Sequence, residues 1–351
     1  MRPAGVLGVG LAALVLSLSS GKSLAEEVRL PIQEEAVVEP EKKTTLKEQL
    51  IESEYKALEK IAAEAGVNVE EFALDTQWNR KYKSFYAEVK DKHVVKLALN
   101  RYSLENLKPL RELTHLEECY VVRGKVKKIE GLENLTNLKK LHLQGNVIER
   151  IQGLSNLINL EELYLSNNRI TKIEGLENLR KLKKLFLEQN QIEKIEGLSS
   201  LELLEWLHLG WNKIKVMEGL NGLFNLQYLF LNNNLLEKAK ALEDWKKLKL
   251  FNLKHNKITE VILPELAELM YLVVSYNPLN SIEGLEKVKQ LQRLYIEGCN
   301  FTKMPDLSKF PNLEWVKAKG NQIEKPKDLK DLYPKVKIEI DIPKAEEIEI
   351  F

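Results

Sequence analysis

The sequence has no excess of charge of either sign. Its 351 residues include 53 Lys and Arg against 52 Asp and Glu, which gives a net charge of +1. A protein that binds nucleic acid needs a basic surface to neutralise the phosphates. The balance therefore predicts that nucleic acid is not a partner.

Catalytic and metal-binding motifs are also missing. The sequence contains no H-E-x-x-H, C-x-x-C or G-x-S-x-G motif and no glycine loop of the phosphate-binding kind. None of the histidines has a partner along the chain at the spacing of a metal site or a catalytic triad. We therefore expect a protein that is not an enzyme and that needs no cofactor or metal. The five histidines are His93, His115, His142, His208 and His255.

Long hydrophobic runs are absent except for one, from Val6 to Leu18. It is short for a bilayer-spanning helix, which needs about 20 residues. Arg2 precedes it and Ser23-Leu24-Ala25 follows it, as in a signal peptide cleaved before Glu26. Residues 1–25 are thus predicted to direct the chain to the periplasm, the cell surface or the medium, without a membrane span in the mature chain. An uncleaved anchor is the alternative.

The sequence does contain a repeat of 22 residues, which is clearest between Leu138 and Leu204. LKKLHLQGNVIERIQGLSNLIN is followed by LEELYLSNNRITKIEGLENLRK and then by LKKLFLEQNQIEKIEGLSSLEL. The shared pattern L-x-x-L-x-L-x-x-N-x-L/I resembles the leucine-rich repeats of the 22-residue class. Bacterial internalins and a leucine-rich regulatory subunit of type-one protein phosphatase carry repeats of this class. Eleven repeats fill residues 94–335, beginning at Val94, Leu116, Leu138, Leu160, Leu182, Leu204, Leu226, Leu248, Leu269, Leu291 and Leu313.

The resemblance implies an α/β solenoid, a leucine-rich-repeat horseshoe. Its concave side would be a parallel β-sheet, and its convex side would consist of 3₁₀ turns or short helices. Asparagine at offset 8 of the repeats is expected to bond the backbone of the turns. Glycine at offset 15 indicates a tight convex turn, and its replacement in the seventh and eighth repeats predicts a fuller helical turn there. Cys119 and Cys299 lie eight strands apart, about 38 Å at the usual strand spacing, which excludes a disulfide between them.

The segments that flank the repeats are predicted to be a linker and two caps. Residues 26–43 are acidic and proline-punctuated, which favours a flexible linker. Residues 44–93 are interpreted as a helical N-terminal cap, with Thr44 or Thr45 starting a helix that Gly66 ends. Residues 336–351 alternate strictly at first and are predicted to form a C-terminal capping strand.

The residues between the leucines of each strand would face the concave side, because alternate strand residues point to opposite faces. Eleven of the 25 aromatic residues fall on 44 such positions. Stacking between adjacent strands explains some of them, but exposed aromatic residues on this scale favour a binding face for a protein or peptide. The candidate partner-binding residues, two histidines included, are Tyr120, His142, Tyr164, Phe186, Trp206, His208, Trp211, Tyr228, Phe230, Tyr271, Tyr295 and Trp315.

The same face has an excess of basic residues, which predicts a partner with acidic patches at the two ends of the horseshoe. Three alternatives remain open: a carbohydrate ligand stacked on the rings, a regulatory subunit of a phosphatase-like enzyme, and a structural spacer that associates with itself. The resemblance to internalins agrees with export and with binding to a surface protein. The basic residues are Lys96, Arg101, Arg123, Lys140, Lys184, Lys254, Arg293, Lys317 and Lys319, against Glu118, Glu162, Glu188 and Glu297.

Overall fold

The structure is a computed structural model that describes residues 45–69, 84–324 and 329–341. These residues all belong to the unit that begins at Thr45. The predicted signal peptide 1–25 and linker 26–43 lie outside the described residues. So do positions 70–83 of the predicted cap and positions 342–351 of the predicted capping strand.

One sheet of 13 strands forms the concave side of a solenoid of about 11 turns. Every pair after the first is parallel, and equivalent residues of successive repeats lie opposite each other. The predicted leucine-rich-repeat horseshoe is thereby confirmed. The strands in sheet order are β1 (Ser84–Lys90), β2 (His93–Asn100), β3 (Glu118–Val122), β4 (Lys140–His142), β5 (Glu162–Tyr164), β6 (Lys184–Phe186), β7 (Trp206–His208), β8 (Tyr228–Phe230), β10 (Leu250–Asn252), β12 (Tyr271–Val273), β13 (Arg293–Tyr295), β14 (Trp315–Lys317) and β15 (Lys337–Glu339).

The core runs without interruption along the solenoid, between the sheet and the convex side. The central residue of each short strand points into it, and Leu163, Leu185 and Leu207 are fully buried. On the convex side, successive backbone bonds of the i to i+3 type turn the chain, as from Leu179 to Leu176. Three of these turns are regular 3₁₀ helices, at Lys108–Glu112, Leu285–Lys287 and Leu307–Lys309.

An asparagine ladder connects the turns that leave the strands; it consists of Asn146, Asn168, Asn190, Asn212, Asn234, Asn256, Asn277 and Asn321. The Asn190 amide nitrogen donates to the carbonyl oxygens of Leu165 and Leu187, both at 3.0 Å. Its amide oxygen accepts from the Ile170 N–H, also at 3.0 Å. The predicted role of offset 8 is confirmed. Cys299 takes this position in the tenth repeat, with its sulfur 3.5 Å from the Val274 carbonyl oxygen.

The predicted fuller helical turn in the seventh and eighth repeats is wrong. The chain there forms two extended strands, β9 (Lys238–Lys240) and β11 (Glu260–Ile262), which pair in parallel as a separate two-stranded sheet. Ala241 and Leu263 stand where other repeats have glycine at positive φ, so the chain remains extended instead of turning. Both continue the pairing, since the Ala241 N–H donates to Ile262 and the Leu263 N–H to Glu283.

The N-terminal end of the sheet is covered by two helices and a hairpin. Helix α1 (Leu46–Gln49) begins after Thr45, whose N–H donates to the Glu48 carboxylate at 3.0 Å. Leu50 is extended and separates α1 from α2 (Glu52–Ala65), which Gly66 ends at φ 71°. The predicted single helix is therefore two. Strand β1 pairs antiparallel with β2 through a turn at Asp91 and Lys92, both at positive φ.

At the other end, strand β15 pairs in parallel with β14 over three residues. A short helix, α3 (Leu329–Leu332), lies before it in the chain. Leu329 is buried whereas Leu332 is 61% exposed. The last described residues thus cover the sheet edge over a shorter length than β1 does at the beginning.

Candidate interaction surface

The parallel register places the fifth residue of each repeat in one line across the concave sheet. We call this line the aromatic row; it consists of Tyr120, His142, Tyr164, Phe186, His208 and Phe230. Neighbouring rings are nearly parallel, with centroids 4.2, 4.0, 4.6, 6.2 and 4.8 Å apart in that order. Stacking of this kind stabilises adjacent strands by about 0.2–1 kcal/mol for each pair.

Burial divides the twelve predicted binding residues into three groups. Trp211 is the exposed one, at 45%. Tyr120, Tyr164, Phe186, Trp206 and Trp315 are partly buried. The rings that neighbouring strands cover are His142, His208, Tyr228, Phe230, Tyr271 and Tyr295, all under 9% exposed. Half of the set is thus buried within the molecule, and a ligand can reach the other half directly.

The turns that leave the strands carry two large exposed aromatic residues, Trp211 and Tyr276. They occupy the same offset, and their backbones are left-handed, at φ 56° and 58°. That conformation costs bulky L-residues about 1–2 kcal/mol and is normally taken by Gly or Asn. Tyr276 is 44% exposed and stacks on His255 with centroids 4.4 Å apart. Tyr276 is not among the twelve predicted binding residues, although its repeat offset is the same as that of Trp211.

Charge is distributed unevenly along the concave face. In the N-terminal half, Lys140 pairs with Glu118 and Lys184 with Glu162, each at 3.1 Å. The same two carboxylates accept hydrogen bonds from the Tyr120 and Tyr164 hydroxyls at 2.8 Å. Lys96 likewise pairs with Glu88 at 3.0 Å. The predicted lysines at this end are therefore neutralised within the molecule, whereas the predicted arginines, Arg101 and Arg123, are exposed.

At the C-terminal end of the face, basic groups lie against aromatic rings instead. Arg293 lies 5.7 Å from the Tyr271 ring and 5.5 Å from the Trp315 ring. Lys317 and Lys337 approach the Trp315 ring at 4.8 and 4.3 Å. Within the part of the chain that the structure describes, Arg293 and Lys317 form no ion pair, so their charge is available to a ligand.

Lys254 lies between these regions, half-buried beside Tyr276. Burial lowers the pKa of its amine; the Glu297 carboxylate opposes this shift, whereas the Lys317 charge adds to it. Its ammonium lies 5.2 Å from the Tyr276 ring. An anionic group placed here would be attracted by both lysines.

The centre of the face contains a buried carboxylate beside a buried imidazole. Glu188 is 2% exposed, and its Oε2 lies 3.6 Å from Nδ1 of His208. The Gly210 N–H also lies 3.3 Å from that nitrogen, a contact that favours the tautomer with the proton on Nε2. Burial lowers the pKa of His208, and the Glu188 charge only partly opposes this.

The structure also brings together three potential ligands that sequence analysis missed. Nδ1 of His93 and Nδ1 of His115 lie 3.0 and 3.7 Å from the same carboxylate oxygen of Glu54. Glu54 comes from helix α2, 39 residues before His93, so no spacing along the chain indicates the cluster. A signal was nevertheless present, because His93 and His115 are 22 residues apart and therefore occupy equivalent positions in adjacent turns.

Comparison with known proteins agrees with this geometry. Residues 158–200 match the family described as leucine rich repeats (2 copies). An internalin of Listeria monocytogenes, InlF, is 17% identical with a TM-score of 0.64, over 85% of this chain and 93% of that one. A leucine-rich-repeat protein of Leptospira interrogans is 28% identical with a TM-score of 0.57, over 70% and 72%. A chain in the octameric complex of Latrophilin 3, Unc5D and FLRT2 is 22% identical with a TM-score of 0.61, over 75% and 87%.

None of the curated proteins matches the sequence. The repeats and the sheet give the molecule the architecture of a leucine-rich-repeat protein, and the family match covers two of its repeats. Among proteins of this class, it resembles the internalins. A solenoid of this kind presents an extended concave surface that repeat proteins use for binding.

Where the chain is described, no helix combines the length and the apolar character needed to cross a bilayer.

Proposed function

We propose that the protein is an exported interaction module whose concave face binds a protein or peptide. The observation that carries this proposal is the pair of exposed rings on the turns, Trp211 and Tyr276. Trp211 is 45% exposed and Tyr276 is 44% exposed, whereas the left-handed backbone beneath them is common to this offset in all eleven repeats. Tyr and Trp at such places are the residues that dominate binding energies in interfaces.

The partly buried rings extend this surface along the sheet. Phe186 and Trp206 have their centroids 6.4 Å apart, and Trp206 stacks on Tyr228 at 3.9 Å. These rings are fixed by their neighbours before any ligand arrives. A ligand therefore loses little free energy in ordering them, which favours affinity.

The charge distribution assigns a direction to the ligand. Its apolar or aromatic part meets the central turns, near Trp211. Its acidic part meets Arg293 and Lys317 at the C-terminal end, where the guanidinium and ammonium groups lie on the Tyr271 and Trp315 rings. We place the main acidic contacts at this end, because the N-terminal lysines already have carboxylate partners. The exposed Arg101 and Arg123 remain basic groups at the N-terminal end.

Two further observations support the proposal. The octameric complex of Latrophilin 3, Unc5D and FLRT2 contains a leucine-rich-repeat protein in association with other proteins, as its description states. Export rests on residues 1–25, whose basic start, apolar run and small residues before Glu26 have the pattern of a signal peptide.

A capture experiment with two matched double variants tests the proposal. Chain 26–351 is compared with Trp211→Ser, Tyr276→Ser and with Ile158→Ser, Val216→Ser, in extracts and medium of the source cells. Ile158 and Val216 are 55% exposed and lie outside the concave strand positions, so both variants remove exposed apolar surface without opening the core. We expect a protein that the wild type and the second variant retain and that the first variant loses.

The same experiment separates the alternatives. Equal retention by both variants would contradict binding at the turns. Retention that periodate treatment of the extract abolishes would favour a carbohydrate ligand. A phosphatase catalytic subunit captured only from the cytosolic fraction would overturn the exported placement and favour the regulatory-subunit alternative. If the wild-type chain captured only further copies of itself, the self-associating spacer would be favoured.

A further inference from the structure

A cluster of one carboxylate and two imidazoles lies where the N-terminal cap meets the first two turns of the solenoid. Glu54 comes from helix α2, His93 from the start of β2, and His115 from the segment that leads into β3. The glutamate side chain is 1% exposed, whereas those of His93 and His115 are 26% and 49% exposed. One ligand atom from each residue lies within 4.8 Å of the other two.

The hydrogen bonds of Glu54 leave one of its oxygens directed at the two rings. Its Oε2 accepts from the Val94 N–H at 2.6 Å. Its Oε1 faces both Nδ1 atoms, at 3.0 and 3.7 Å. A buried carboxylate is stable only with strong partners. Without a metal, an N–H on Nδ1 can donate to Oε1, as from His93 at 3.0 Å; with a metal, the two nitrogen lone pairs and Oε1 can bind the same cation.

The distances agree with coordination of a single ion of the zinc type. Zinc binds carboxylate oxygen and imidazole nitrogen at about 2.0–2.2 Å, which places two ligands of a tetrahedron about 3.3–3.5 Å apart. The two Glu54–histidine distances, 3.0 and 3.7 Å, lie on either side of this range. Two imidazoles and one carboxylate suit zinc and its transition-metal neighbours, whereas calcium and magnesium prefer oxygen ligands.

The orientation of the rings requires one adjustment. The imidazoles stack with centroids 3.5 Å apart and an angle of 21° between their planes. Parallel rings direct their lone pairs side by side, so the rings must tilt apart for both to reach one ion. His115 can provide this movement because its side chain is half exposed and its nearest side-chain polar contact is the Thr114 hydroxyl at 3.4 Å.

We propose that Glu54, His93 and His115 form a binding site for a divalent transition metal such as zinc, which fastens the cap to the first two turns. Three protein ligands leave at least one coordination position for water. The ion would bind the folded chain and not the unfolded one, so it would raise the stability of this end of the solenoid. The two histidines are separated by the 22-residue repeat length, whereas the carboxylate comes from the cap.

Zinc titration of the untagged chain 26–351 after removal of metals tests this inference. We expect calorimetry to show one zinc ion for each chain and a higher urea midpoint for a probe in the cap. Replacement of one of three ligands, in His115→Ala, should weaken zinc binding by more than about tenfold, since even changes outside the ligand set cause losses of that size. His255→Ala is the matched control, because His255 is an exposed histidine at the other end and should leave zinc binding unchanged.

A second variant and two other metals keep the outcome unambiguous. Glu54→Gln should also abolish stoichiometric binding, and magnesium or calcium should bind neither variant nor wild type. Absence of a saturable zinc site would overturn the proposal. The proposal would also be overturned if both Glu54→Gln and His115→Ala still bound one zinc ion for each chain. If Glu54→Gln fails to fold, His115→Ala decides alone, because its exposed ring contributes little to the core.

Discussion

At the scale of the single residue, a buried asparagine serves as a connector between turns. Asn190 both donates to backbone carbonyls and accepts from a backbone N–H of the neighbouring repeat, a combination that needs an amide. Cys299 replaces only the donor half of this role: its sulfur lies 3.5 Å from the Val274 carbonyl oxygen, while the equivalent N–H, of Leu279, donates to the Asn277 carbonyl oxygen at 2.7 Å.

The variant Asn190→Ala should lower the free energy of unfolding by about 2–4 kcal/mol, because it leaves buried backbone groups without partners. The measurement is urea unfolding followed by circular dichroism. Asn178→Ala is the control: Asn178 is exposed, donates once, to Ser155 at 3.2 Å, and should cost less than about 1 kcal/mol. Equal losses in the two variants would show that burial of the amide does not matter.

His208 should make the stability depend on pH. Its pKa is lowered in the folded chain by burial, so below about pH 6.5 the unfolded chain takes up a proton that the folded chain refuses. Stability from this residue is therefore present above that pH and falls as the pH drops, by up to about 1.4 kcal/mol for each unit.

The variant His208→Phe continues the row between Phe186 and Phe230 and removes the titrating group. Between about pH 7.5 and pH 5.5, the urea midpoint of the wild type should fall more than that of the variant. Equal falls would mean that the Glu188 carboxylate, 3.6 Å away, stabilises the charged ring enough to cancel the effect of burial.

The positions of the candidate binding residues could be predicted from the sequence, but their exposure could not. The repeat offset decides which residues face the concave side, and the register confirms that Tyr164 and Phe186 lie opposite each other. Exposure depends on the neighbours: Phe230 is covered because ring, amide and strand partners surround it, whereas Trp211 projects from a turn. Only coordinates give that information. The cluster of Glu54, His93 and His115 could not be predicted for the same reason, since its members come from separate elements.

At the scale of the element, the convex turns depend on a glycine for two reasons: its backbone is left-handed, and the preceding repeat leaves no room for a Cβ. Gly197 has φ 69°, and a Cβ there would lie 2.7 Å from the Ile173 carbonyl oxygen of the preceding repeat. Gly66 at the end of α2 has nearly the same φ, 71°, but no atom lies within 4 Å of the corresponding point. The two positions thus share the backbone strain and differ in the space available.

Gly66→Ala should cost about 1–2 kcal/mol, the strain of a left-handed alanine. Gly197→Ala should cost that and about 1–3 kcal/mol more, because the two repeats must separate. Thermal unfolding of both variants measures the difference. A difference near zero would mean that the turn yields without affecting the repeat before it.

The strands that follow the 22-residue repeat could be predicted from the sequence, and the strands outside that pattern could not. The offsets of the leucines define strands β3 to β14 of the large sheet. A fuller helical turn was expected where β9 and β11 lie, because the glycine at offset 15 is replaced in these two repeats. The structure shows extended pairing, with Ala239 and Val261 buried in the core instead. Strand β1 escaped because residues outside the repeats carry no period.

At the scale of the whole molecule, the described residues close the two ends of the solenoid unequally. Each turn contacts only its neighbours, so stability is approximately a sum along the chain and the ends can open separately. β1 covers its edge with seven residues, and helix α2 packs on the 3₁₀ helix Lys108–Glu112 with its Leu58 and Ile61 fully buried. The described part of the other end contributes three residues of β15, of which Lys337 is exposed. The C-terminal turns should therefore open first.

Cys119 and Cys299 report on these two ends. Burial raises the pKa of the Cys119 thiol to about 12, and burial also raises that of Cys299. Because the thiolate is the reactive form, neither should react with a thiol reagent at about pH 8 until its turn opens. Two variants isolate the signals: Cys299→Asn keeps Cys119 and restores the asparagine ladder, whereas Cys119→Ala keeps Cys299. Pulse labelling across a urea series should modify Cys299 at a lower concentration than Cys119. If both cysteines became reactive at the same urea concentration, with matching unfolding by circular dichroism, the solenoid would unfold as one unit and the unequal closure of its ends would have no energetic consequence.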